Sequence, residues 1–116
     1  MVNTGMKHAL TAVLERNTTF TADFTTEPYE AGWATEARWF VRTLALEGDA
    51  PTLHLATQVS PDGLHWCDDE TAEQVTTEPG LVSWRVREFG HWLRLRASLR
   101  GGDPQAKVLI YLALKS

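Results

Sequence analysis

Glu47-Gly48-Asp49-Ala50-Pro51 stands between two runs of alternating side chains, and its reading decides the fold. On its N-terminal side, residues 36–48 set Ala37, Trp39, Val41, Thr43 and Ala45 against Arg38, Phe40, Arg42, Leu44 and Leu46. On its C-terminal side, residues 52–60 place Leu53, Leu55, Thr57 and Val59 on one face. A period of two marks β-strands. Gly, Asp and Pro together favour reverse turns, so residues 47–51 are expected to end one strand and begin the next. The segment Gly101-Gly102-Asp103-Pro104 has the same composition. It separates residues 91–100, where Leu93, Leu95, Ala97 and Leu99 alternate, from residues 106–115, where Ala106, Val108, Ile110, Leu112 and Leu114 do.

Further out the pattern repeats. Residues 81–89 put Val82, Trp84 and Val86 inward, and residues 18–25 align Phe20, Ala22 and Phe24. Residues 6–17 fit either a short helix or a strand, and the surrounding β pattern favours the strand. In Ser60-Pro61-Asp62-Gly63-Leu64-His65-Trp66, Asp62-Gly63 is expected to supply the positive φ of a tight hairpin, with Trp66 returning in the second strand. Seven or eight short strands predict one all-β domain over residues 1–116. The expected form is a two-sheet antiparallel sandwich, jelly-roll-like, with an immunoglobulin-like order as the alternative.

Composition narrows the function classes. The chain has 116 residues, is 43% hydrophobic and 22% charged, and carries a formal charge of −4. Nucleic-acid binding is not expected from that balance, nor from a chain without an apparent recognition helix. No apolar run is long enough for membrane insertion, and the N-terminus lacks the pattern of a leader. The one cysteine, Cys67, excludes an internal disulfide. The expected setting is therefore a virion or a cytoplasmic assembly. Charge is segregated. Asp62, Asp68, Asp69, Glu70, Glu73 and Glu78 form an acidic block, and Arg85, Arg87, Arg94, Arg96 and Arg100 a basic one.

Four groups of residues are candidates for chemistry. His65, Cys67, Asp68 and Asp69 could approach one ion, with His8, His54 or His91 from elsewhere. Their spacing matches no zinc motif, so neither metal nor cofactor is expected. Serines and histidines occur without a nucleophile elbow or phosphate loop, so no enzyme is expected. Trp33, Trp92 and Tyr29 are the candidate stacking platform for a glycan. Arg85, Arg87, Arg94, Arg96 and Arg100 would form a basic strip beside Trp92 if residues 88–91 close a hairpin. Such a strip can grip phosphate, sulfate or carboxylate groups.

The succession Ser60-x-Asp62-Gly63-x-x-Trp66, then Leu93-Arg94-Leu95-Arg96, then Gly101-Gly102 and a closing hydrophobic strand resembles small β-sandwich domains of tailed-phage virion and prophage structural proteins. The resemblance covers about the C-terminal two-thirds of the chain. It implies a structural or accessory subunit that contacts a protein assembly or copies of itself. The hairpin alone is similar to that of discoidin-like modules, which implies carbohydrate binding as the second function.

Overall fold

A computed structural model describes residues 8–116. The N-terminal residues 1–7, on which the leader reading and the start of the 6–17 segment rest, lie outside the described residues. The order is β1 (Ala9–Phe20), β2 (Phe24–Thr25), β3 (Tyr29–Glu30), β4 (Glu36–Ser60), β5 (Cys67–Asp68), β6 (Gln74–Thr76), β7 (Gly80–Val86) and β8 (Trp92–Lys115). The chain is all-β among the described residues, and the ambiguous segment after His8 is strand.

The all-β, antiparallel class is borne out, and the hydrogen bonding links the described strands as one sheet where two were expected. All eight strands belong to one antiparallel sheet, in the order β1-β8-β4-β5, with β2 and β3 also on β8, and β6 and β7 also on β4. That connectivity does not by itself bear out a jelly-roll or an immunoglobulin-like order. The reason lies in residues 47–51 and 101–104, which are not reverse turns. β4 and β8 run through them and stay paired from Glu36 opposite Lys115 to Ser60 opposite Trp92, with register irregularities clustered between Thr43 and Thr52.

The two segments face each other as Asp49 opposite Gly102, and they repeat one backbone pattern. Gly48 has φ 126° and Ala50 50°; Gly101 has φ 126° and Asp103 47°. Each pattern closes on a proline, Pro51 or Pro104. A Cβ on Gly48 would lie 2.8 Å from the Gly102 carbonyl oxygen, and one on Gly101 would lie 2.9 Å from that of Asp49. Two strands are thus kinked together, backbone against backbone, where only glycine fits.

The kink folds the ribbon back on itself. Thr57 Oγ1 accepts hydrogen bonds from Trp39 Nε1 and Trp84 Nε1, both at 3.1 Å. Along a straight strand, Trp39 and Thr57 would stand about 60 Å apart. Residues 36–46 therefore pack over residues 52–60, and the halves of β8 do likewise. One buried cluster joins Trp39 and Val41, Leu53 and Leu55, Leu93 to Leu99, Ala106 to Leu114, and Trp84 and Val86 of β7. These are the inward positions that the alternation predicted.

The chain crosses the kink at its edge as well. Phe20, the last residue of β1, is opposite Ala106, whereas Phe24 is opposite Ala97 on the other half of β8. Residues 18–25 are therefore split instead of forming one strand. The two rings still stack, with centroids 3.5 Å apart, and Asp23 Oδ1 accepts from the Leu99 amide at 2.8 Å.

Candidate functional site

The loop after β4 takes its shape from two short polar side chains. Ser60 Oγ accepts from the amides of Asp62 and Gly63, at 3.2 and 2.8 Å. Asp62 Oδ1 accepts from the amides of Leu64 and His65, and Oδ2 bonds His65 Nδ1 at 2.7 Å. These bonds, the His65 amide first, hold the Asp62 carboxyl well below the usual carboxylate range. A carboxyl depressed in this way favours the folded loop at neutral pH. That contribution is full above the ordinary carboxylate range, fades as pH falls below it, and is gone once the folded-state carboxylate takes up a proton.

Gly63 has positive φ, 79°, as expected, but the tight hairpin is replaced by a longer loop. Pairing resumes only at Cys67 opposite Val59 and Asp68 opposite Gln58. The length lets the loop reach across β4 to β8. A Cβ on Gly63 would meet the Trp92 ring at 3.2 Å. The Arg94 guanidinium lies 4.4 Å over the Trp66 ring. Arg96 Nη2 pairs with Asp68 Oδ2 at 3.1 Å. Three successive outward positions of β8 are each covered by a residue of the loop or the strand it enters.

Gln58 ties the cluster together. Its Oε1 accepts from Arg94 Nε at 2.7 Å, and its Nε2 donates to Asp68 Oδ1 at 2.9 Å. Burial, and then the neighbouring Arg96, push the Arg94 guanidinium down from its ordinary value. Gln58 was missed in the sequence. It sits on the face opposite Leu55 and Thr57, one residue before Val59, and only the cross-strand register shows its role.

The predicted basic strip is divided. β7 does not form a hairpin with the first half of β8. It pairs with β4 from Ala37–Val86 to Thr43–Gly80. Arg85 and Arg87 therefore belong with Arg38, while Arg94 and Arg96 belong to the loop network. Arg100 is exposed, near the kink and opposite Thr52. The acidic block is also divided: Asp68 pairs with Arg96, Glu73 with His54 at 3.1 Å, and Asp69 with Thr71. Glu70 and Glu78 are exposed.

The three aromatic residues have different surroundings. Tyr29 packs against the core, opposite Leu93. Trp92 lies beneath Gly63. Trp33 is partly exposed and stands edge-on to His8, 6.4 Å between centroids. Among the described residues, no three His, Cys, Asp or Glu side chains gather as a metal site. His65 is bound to Asp62, and Cys67 is exposed.

Reversing Arg94 and Arg96 to Glu is expected to destabilise the fold. The double change removes the stacking on Trp66 and the bonds to Gln58 and Asp68, and sets Glu against Asp68. A loss of about 1–3 kcal/mol in urea denaturation is expected. Unchanged stability would show the network to be an ornament of the surface.

Two solved structures share the fold. The SPBc2 prophage-derived protein YomS matches with a TM-score of 0.62 at 10% identity, covering 100% of both chains. The PBSX exported protein XepA matches with a TM-score of 0.57 at 14% identity, over 95% of this chain. The chain spans 37% of the length of XepA. No family model and no curated sequence matches the chain.

Proposed function

We propose that the chain is a non-catalytic structural or accessory subunit of a phage-associated assembly. The observation that carries the reading is the likeness in fold to YomS along the whole of both chains. The polar side chains of the loop support it. Ser60, Asp62 and His65 bond within the loop, and Asp68 bonds to Gln58 and Arg96. Their hydrogen-bonding capacity goes into holding a shape, which suits a scaffold more than a reaction centre. A decoration or tail-associated role is the specific form.

The test is quantitative mass spectrometry of phage particles purified from cells that encode the chain. The chain is expected in the particles at a constant ratio to the major structural proteins. Its absence from them would overturn the reading. Saturable glycan binding that is lost in Trp92→Ala would replace it with a carbohydrate-binding module.

A further inference from the structure

Arg38 of β4 and Arg85 of β7 are directly opposite each other in register. Both are exposed, on the face turned away from Trp39 and Trp84. Like charges at directly opposed positions destabilise a sheet. Among the described residues neither has a carboxylate within 4.0 Å, and Arg38 Nη1 donates instead to Ser83 Oγ at 3.0 Å.

Arg87 and Lys115 join the pair along a groove of about 480 Å³, whose lining includes Ala37, Phe40 and Ala113. Glu36 is the one acid in its lining, opposite Lys115 in register. On the far flank of Arg85 and Arg87, a second groove holds Asp69, Glu70 and Glu88. None of these three forms an ion pair with the arginines among the described residues. Four cations against one carboxylate thus line a groove in a chain of net charge −4.

We propose that this groove binds a phosphate-type oxyanion, gripped by Arg38 and Arg85 with Arg87 and Lys115 around it. One guanidinium fork saturates the two oxygens of a carboxylate. A phosphate has oxygens for two forks and an ammonium together. Its charge also relieves the repulsion that the opposed arginines impose on the free protein. The site is independent of the chain's place in any particle.

The experiment is a set of thermal melts and calorimetric titrations of the full chain. One series uses sodium phosphate, and another uses sodium chloride at matched ionic strength. Phosphate is expected to raise the melting temperature and chloride not to. Arg38→Gln and Arg85→Gln should each weaken phosphate binding by about tenfold or more, the loss of a charge-assisted hydrogen bond. Without phosphate, Arg85→Gln should melt at or above the wild-type temperature, since the like-charge pair is gone. Arg100→Gln should bind as the wild type does. An oligomer of glycerol phosphate provides the second arm. Tighter binding than inorganic phosphate assigns the groove to a phosphodiester polymer, and weaker binding to free phosphate or a monoester. Equal effects of chloride and phosphate would overturn the proposal. So would a phosphate shift that survives in both Arg38→Gln and Arg85→Gln.

Discussion

Thr57→Val is expected to lower the unfolding free energy by about 2–5 kcal/mol. Valine matches threonine in shape and suits a strand, so the loss isolates the hydroxyl. Thr57 is 3% exposed, and its Oγ1 is the acceptor for both Trp39, 0% exposed, and Trp84, 7% exposed. Without it two indole N–H groups are buried with no partner, each at a cost of about 1–3 kcal/mol. Thr57→Ser keeps the acceptor and should lose much less. Urea denaturation followed by tryptophan fluorescence measures both variants. Equal stability of the valine and serine variants would show that the bonds across the fold-back contribute nothing net.

Gly48→Ala and Gly101→Ala are expected to be as damaging. At either position, φ of 126° lies where a Cβ is strained. The added methyl would also meet carbonyl oxygens and a proline Cα of the opposite strand at 2.8–3.0 Å. Backbone strain and overpacking contribute about 1–3 kcal/mol each. The obstacle is paired backbone, which cannot swing aside as a flexible side chain would. Gly90→Ala is the control: φ is 71°, but nothing lies within 4 Å of its Cβ position. It should show the strain alone. The double variant Gly48→Ala/Gly101→Ala should cost less than the two singles together, because both disrupt one kink. Strict additivity would mean that the segments bend independently.

The inward face of the sheet was legible because period-two alternation depends only on which side of the strand is buried. Trp39, Val41, Leu53, Leu55 and the two halves of β8 are buried as their spacing predicts. Connectivity was not legible, because Gly, Asp and Pro answer two different demands. They reverse a single strand, and they also let two paired strands bend together. A signal was present in the matched spacing of Gly48 to Pro51 and Gly101 to Pro104, which a pair of unrelated turns has no reason to share. The candidate site was legible in part. Arg94 and Arg96 do share a face with Trp92, but their partners Trp66, Gln58 and Asp68 come from strand register and loop reach. Arg38 shows in the sequence only as one member of an outward face, and its position opposite Arg85 comes from strand register. Residues 88–91 were expected to pair the strand of Trp84 with that of Leu93. The bonds from Trp39 and Trp84 to Thr57 show instead that β7 is needed beside the first half of β4.

The ribbon of β4 and β8 also sets the order in which the protein can acquire structure. β8 is the strand on which β1, β2, β3 and β4 all pair, and it follows the other seven described strands in the chain. Until Trp92–Lys115 has been made, β1, β2 and β3 have no hydrogen-bonding neighbour. Only the contacts of β4 with β5, β6 and β7 can form early. Pairing Glu36 with Lys115 then closes a loop over most of the chain, and the entropy of that closure comes before the burial that offsets it. Refolding should therefore fall in the slow range of non-local β proteins, about milliseconds to seconds. During synthesis, the apolar faces of β1 and β4 wait exposed for the strand that covers them. A nascent chain of this kind is most vulnerable to misassociation until β8 has emerged to pair with them.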